Sequence, residues 1–113
     1  MIEDIEQLKD SANARRKKKR DKEISDLRKV LGMVEGRRLI WKLMSEAGVF
    51  RSSFDQSDMS MAFNEGRRDM GLMLMDDILK VAPQSFSQMQ KEAVSDMKSE
   101  HAQGVEDVLD EEN

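Results

Sequence analysis

Two patterns of charged residues in this sequence have the composition and spacing to bind an anion. The first is a run of six consecutive cations, Arg15, Arg16, Lys17, Lys18, Lys19 and Arg20. The second is the tetrapeptide Glu-Gly-Arg-Arg, which occurs at residues 35–38 and again at residues 65–68. Clustered lysine and arginine bind nucleic acids and other polyanions by displacing their counterions. Both patterns are therefore candidate binding sites.

Residue patterns that would support catalysis are missing from the sequence. There is no cysteine, and His101 is the only histidine, so disulfides, thiolate metal sites and a Cys–His pair are excluded. The adjacent carboxylates Asp76 and Asp77 would point about 100° apart on a helix and would not share one site. No glycine-rich loop ends in Gly-Lys-Ser/Thr. We expect a non-enzymatic protein with no catalytic residues, no metal and no cofactor.

The run Arg15–Arg20 leaves three interpretations open. It could bind non-specific DNA or another polyanion, although it has no interleaved aromatic residue to stack on bases. It could instead be a solvated arm, or it could pair with an acidic surface such as Glu106–Glu112 of a neighbouring copy. We favour a solvated arm or pairing with an acidic surface over polyanion binding.

The glycine in each Glu-Gly-Arg-Arg copy needs an explanation, because glycine inside a helix costs about 1 kcal/mol relative to alanine. Surface ion pairs within the motif would contribute only a few tenths of a kcal/mol. Gly66 falls on the same helical stripe as Phe63 and Met70, where a missing side chain permits close approach of another backbone. The favoured interpretation is a helix crossing or partner contact at Gly36, Arg37, Arg38, Gly66, Arg67, Arg68 and Gly71. The alternative is that the four arginines form an anion-binding patch.

Composition predicts that helices position these residues. Charged residues make up 37% of the chain, there is one proline and no tyrosine, and β-branched and aromatic residues are scarce. We therefore predict an all-α fold, a small helical bundle of three to four helices. Residues 1–23 are expected to form a basic polar arm, helical or disordered, and residues 24–103 the helical domain. Residues 104–113 are expected to form a short, frayed acidic tail.

Apolar spacings of three and four residues define the helices of this domain. A bend is expected near Gly32 or Gly36, followed by a helix over residues 35–47 that ends at Gly48. The next loop contains Phe50 and Phe54, which are expected to tuck under the domain, with an exposed aromatic contact site as the alternative. A third helix should begin at Ser57 or Asp58 and end near Val81, and a fourth should begin at Pro83. The third helix is apolar on so many sides that it is either central or covered by another subunit.

Charge is distributed unevenly along the sequence. Residues 1–56 carry 14 basic and 10 acidic side chains, whereas residues 57–113 carry 5 basic and 13 acidic ones. Such a dipole suits head-to-tail self-association or docking to two different surfaces. No segment approaches the roughly 20 apolar residues needed to span a bilayer, so we expect no membrane span.

Over residues 36–93 the sequence resembles a small family of tailed-bacteriophage proteins first delimited in a Bordetella phage. The resemblance rests on Gly-Arg-Arg-Leu-Ile-Trp-Lys-Leu at 36–43, Ala-Gly-Val-Phe-Arg-Ser-Ser-Phe at 47–54 and Phe-Asn-Glu-Gly-Arg-Arg-Asp-Met-Gly-Leu at 63–72. It ends with Pro83, Met89 and Glu92. The basic arm and the acidic tail lie outside it.

The resemblance implies a phage origin and a non-enzymatic role among virion or assembly proteins, in the virion or the host cytoplasm. We expect contacts with other phage proteins, with homo-oligomerisation and non-specific DNA binding as further hypotheses. A host-directed binding module is the remaining alternative.

Overall fold

The computed structural model describes the backbone of residues 2–51 and 57–112, and this part of the chain contains four helices and no strand. The helices are α1 (Ile2–Leu31), α2 (Val34–Glu46), α3 (Asp58–Val81) and α4 (Pro83–Glu112). The prediction of an all-α protein is confirmed.

The helix ends lie where local residue chemistry places them. α1 stops at Gly32 and Met33, so the expected bend is a full break between two helices. Gly48 follows α2 with a positive φ of 86°, and its N–H donates to the Ser45 carbonyl at 3.1 Å. The Ser57 hydroxyl caps α3 by accepting from the Ser60 N–H at 3.4 Å. Pro83 begins α4, as predicted.

A small apolar core lies where α2, α3 and α4 meet, with the last turn of α1 against it. Met44, Ile78 and Met89 are its most deeply buried large side chains, at 0–1% exposure. Around them lie the other buried members, Leu31, Ile40, Val49 and Ala82. Two of the three central side chains are methionines, which suits an irregular space between packed helices.

The molecule is long because α1 and α4 extend beyond this core. Its largest dimension is 85 Å, whereas a helix of 30 residues, the length of both α1 and α4, spans about 45 Å. A length close to twice that value requires the two helices to extend towards opposite ends of the molecule. Side chains of residues 2–23, except Ala12, and of residues 94–111 are exposed.

Two expectations about the chain ends are decided by the structure. The basic arm, predicted as helical or disordered, is helical and continuous with the rest of α1. The acidic tail was expected to fray after Gly104, and this expectation is wrong, because α4 continues to Glu112. Gly104 faces open space, so it adds no packing requirement and only a small propensity penalty to the helix. The domain boundary at residue 23 stays a prediction.

Candidate interaction surfaces

Arg37 from the first Glu-Gly-Arg-Arg copy joins α2 to α4. Its guanidinium donates to both carboxylate oxygens of Glu92 over 2.8–3.1 Å and to the Leu31 carbonyl at 2.9 Å. The Arg37 side chain is 14% exposed and that of Glu92 is 25% exposed. This bidentate geometry is the one in which arginine binds a carboxylate most specifically. Sequence patterns gave no sign that Glu92 would be the partner.

The same contact changes the ionisation of Glu92. The guanidinium of Arg37, followed by the amide of Gln88 at 3.0 Å, stabilises the carboxylate and lowers the pKa of Glu92 below its ordinary value. The pKa of Arg37 is raised by the same hydrogen bond. Glu92 therefore neutralises the charge of Arg37, and this arginine connects helices instead of remaining free to bind an external anion.

Gly36 and Gly71 are the two glycines at which helices approach closely. Both are buried. A Cβ on Gly36 would overlap the backbone carbonyl of Val30, at the end of α1. A Cβ on Gly71 would overlap the Val49 side chain and would lie 2.9 Å from the Cβ of Ala47. These two positions therefore require glycine for packing, α2 against α1 at Gly36 and α3 against the end of α2 at Gly71.

Gly66 does not lie at a helix crossing within the chain. It is exposed, and a Cβ there would meet nothing within 4 Å. The predicted crossing at Gly66 is corrected: the close approach on α3 lies five residues further on, at Gly71. A partner contact at Gly66 stays a prediction.

The four arginines of the repeated motif have different surroundings. Arg67 donates to Asn64 at 3.3 Å, and its guanidinium lies 5.5 Å from the centre of the Phe63 ring. Arg68 is partly buried, and its Nε has no hydrogen-bond partner among the described residues. Arg38 is exposed and lines a groove between α2 and α4 together with Trp41 and Asp96. Since Arg37 is engaged by Glu92, a shared anion-binding patch has little support.

An uncovered apolar stripe runs along residues 59–73 of α3. It consists of Met59, Phe63, Met70 and Met73, which are 64–84% exposed, with Gly66 in the middle. The spacings of four, three, four and three residues place all five positions on one side of the helix. We call this surface the α3 stripe. Four large apolar side chains in one row exceed the scattered exposure usual on monomer surfaces and mark a candidate contact site.

Sequence reasoning did not separate this stripe from the core. Met59, Phe63 and Met70 follow the same spacing of three and four residues as Ile78 and Val81, so spacing alone predicts one face for all five. In the structure the α3 side chains that pack in or against the apolar core lie between Leu72 and Val81, and Ile78 among them is fully buried. The excess of apolar residues on several sides of this helix was the available signal, since one core cannot cover all of them.

The run Arg15–Arg20 lies on the exposed part of α1. Arg16 donates to Asn13 at 3.3 Å. Arg20 differs from the other five, because it pairs with Asp77 of α3 at 3.2 Å and with Glu23 at 3.6 Å. Within the described part of the chain, Arg15 and Lys17–Lys19 form no ion pair. Six consecutive helical positions point in all directions around the axis, so these cations surround the helix and do not form one face.

Of the two phenylalanines in the loop after α2, Phe50 lies within the described residues. Phe50 stacks on Trp41 with ring centroids 4.8 Å apart, and the centroid of the Phe86 ring lies 6.0 Å from that of Trp41. Phe50 is still 47% exposed, so it packs against the domain without being enclosed. Phe54 lies outside the described residues.

The described residues lack both a cluster of metal-ligating side chains and a helix that could span a membrane. No group of three or more His, Cys, Asp or Glu side chains there could hold a metal ion. None of the four helices is long and apolar enough to cross a membrane.

Comparison with known proteins identifies the family. Neither the curated proteins nor the solved structures give a significant match to the chain. Residues 27–91, more than half of the chain, match the family described as Bbp19-like phage protein. The matched segment begins on α1 just before its break from α2 and ends on α4 one residue before Glu92, so it contains the core and the α3 stripe. The chain belongs to the Bbp19-like phage protein family.

Proposed function

We propose that this protein is a non-enzymatic structural or assembly accessory of the phage particle that works through protein–protein contacts. The α3 stripe carries the proposal, since it exposes four large apolar side chains that the described chain leaves uncovered. Membership of a phage protein family supplies the biological setting.

The chemistry of the stripe indicates the kind of partner. Its three methionines and one phenylalanine are adaptable apolar groups without a hydrogen-bond pattern that would select a small polar ligand. The three-and-four spacing matches the side-chain rows of an amphipathic helix, and Gly66 permits close backbone approach at the centre. We therefore expect the occupant to be an apolar helical surface of another protein of the same phage.

Site-specific photo-crosslinking during infection tests this proposal. A crosslinking residue at Met70 should capture one defined phage protein, identified by mass spectrometry. The same residue at Gln90, exposed on α4, is the matched control and should not capture it. Equal capture from both positions would contradict a specific stripe contact. Capture restricted to a host protein would replace the proposal with a host-directed binding module.

A second candidate function is association with nucleic acid through the basic arm. The observation that favours it is the exposure of Arg15–Lys19 on a helix that extends away from the core. Electrostatic binding of this kind weakens steeply as salt rises. A DNA titration at several salt concentrations, with the whole chain and with a chain lacking residues 1–23, provides the test. Absence of binding, or binding unaffected by the deletion, would eliminate this function.

A further inference from the structure

The two extended helix ends of this molecule carry opposite charge. Between residues 11 and 20 the sequence has six basic and no acidic side chains, whereas after Lys98 it has six acidic residues and no lysine or arginine. The first segment lies on α1 and the second on α4. Because α1 and α4 extend towards opposite ends of the 85 Å molecule, the basic segment lies towards one end, preceded by an acidic first turn of α1 with Glu3 and Asp4, and the acidic segment lies at the other end.

Contacts in the core show that α1 and α4 run in the same direction. Arg20 and Leu27 of α1 lie beside Asp77 and Val81, near the junction of α3 with the start of α4. The end of α1 lies beside Arg37, which binds Glu92 further along α4. Moving a second copy along the long axis therefore brings its α1 alongside the exposed part of α4 of the first copy, in parallel orientation.

In that arrangement the charged segments coincide. If Ile2 of one copy lies beside Val94 of the other, both helices advance by the same rise per residue. Arg15–Arg20 then lie beside residues 107–112, where Asp107, Asp110 and Glu111 supply carboxylates. The match follows from the positions of the two segments on their helices.

Exposed apolar side chains coincide in the same register. Ile2 and Ile5 of α1 are 76% and 52% exposed, and Val94 and Met97 of α4 are 46% and 62% exposed. The pairing places the two isoleucines beside Val94 and Met97, and it places Ala12 beside Gly104 and Val105. Small residues at that level allow the two backbones to approach closely before the charged segments meet.

We propose that copies of this protein associate head to tail, with the basic arm on α1 of one copy packed in parallel against residues 94–111 of α4 of the next. Each copy offers two different surfaces, so the contact is heterologous and generates an open row or a closed ring. It uses neither Glu-Gly-Arg-Arg copy and does not depend on the α3 stripe.

Reversing the charge of either segment tests the contact, because each reversed variant should lose association and a mixture of the two should regain it. The arm-reversed variant is Lys17→Glu, Lys18→Glu and Lys19→Glu; the tail-reversed variant is Glu106→Lys, Asp107→Lys and Asp110→Lys. Nucleic-acid-free protein is measured by sedimentation velocity at low and at physiological salt. Wild type should show a weight-average mass that increases with concentration, and this increase should diminish as salt rises. Each variant alone should associate at least about tenfold more weakly.

Mixing the two variants should restore association, because the acidic arm of one then meets the basic tail of the other. A chain carrying all six substitutions should also associate. The control matched to the arm-reversed variant is Lys29→Glu, Lys42→Glu and Lys91→Glu, which changes the net charge by the same amount at other exposed positions and should behave as wild type. Circular dichroism checks that each variant remains helical.

Three results would overturn the proposal. One is a wild-type mass that stays monomeric at every concentration and salt tested. Another is association that both reversed variants retain, which would place the contact elsewhere, for example on the α3 stripe. The third is failure of the mixed variants to associate although both are helical, which would mean that the arm and the tail do not meet each other.

Discussion

Arg37 and Glu92 form the one bidentate ion pair between helices in the described part of the chain, with nitrogen–oxygen distances of 2.8–3.1 Å. The pair fixes the first turn of α2 against the first third of α4, and a further hydrogen bond from Arg37 to the Leu31 carbonyl adds the end of α1. One arginine side chain thus connects three helices at the edge of a small core.

Glu92→Gln should therefore lower the Tm by about 5 °C at pH 7, because the amide cannot hold the guanidinium as the carboxylate does. Asp76→Asn is the matched control, since its ion pair with Lys80 is exposed on both sides, and it should leave the Tm nearly unchanged. Thermal melts followed by circular dichroism check both variants. Equal Tm changes would show that the Arg37–Glu92 pair is no more important than a surface ion pair.

The pH dependence of stability follows from the lowered pKa of Glu92. Since this pKa is lower in the folded state than in the unfolded state, the contribution is complete above the unfolded value and disappears as the pH falls through the folded value. The Tm difference between wild type and Glu92→Gln should therefore be largest near pH 7 and should vanish in acid. A difference that stays constant from pH 7 to pH 3 would contradict this assignment.

Alanine substitutions at the glycines should separate packing positions from open ones. Gly71→Ala and Gly36→Ala should each destabilise the fold by about 1–3 kcal/mol, because the new methyl group overlaps Val49 in one case and the Val30 carbonyl in the other. Gly66→Ala should instead stabilise it by up to about 1 kcal/mol. Urea unfolding measures all three. A large loss of stability at Gly66 in the monomer would restore the helix-crossing interpretation there.

Methionine substitutions should distinguish the core from the α3 stripe. Met44→Ala removes a fully buried side chain and should reduce the free energy of unfolding by about 2–5 kcal/mol. Met70→Ala removes a side chain that is 68% exposed and should change it by no more than about 0.5 kcal/mol. Urea unfolding of dilute, monomeric protein makes the comparison. Similar losses at both positions would mean that the stripe is covered in solution.

The aromatic stack offers a spectroscopic test, since Trp41 is the only tryptophan. Phe50→Leu should shift the fluorescence emission of Trp41. It should also lower the free energy of unfolding by about 0.5–1.5 kcal/mol more than the loss of buried area alone would. Phe63→Leu, on the α3 stripe, should leave the emission unchanged. An unaltered spectrum in Phe50→Leu would argue against the stack of Phe50 on Trp41.

Local patterns in the sequence predicted the helices well but not their surroundings. Gly48, Ser57 and Pro83 act on the backbone of their own turn, so their positions indicated the helix ends to within a residue. Burial depends on which helices meet, and spacing alone placed Met70 and Ile78 on one face although only Ile78 is buried. The partner of Arg37 lies 55 residues away, and no periodicity connects such distant residues. The frayed tail was predicted from composition, which does not determine where a helix ends.

Quantitative mass spectrometry of purified phage particles and of their assembly intermediates tests directly whether this protein has a structural or assembly role. We expect the wild-type protein to co-purify at a defined copy number. Met70→Glu should remain folded, because Met70 is exposed, and should be lost from the same fractions. Gln90→Glu introduces the same charge at an exposed position of α4 and should be retained. Absence of the wild-type protein from both particles and intermediates would contradict a structural or assembly role.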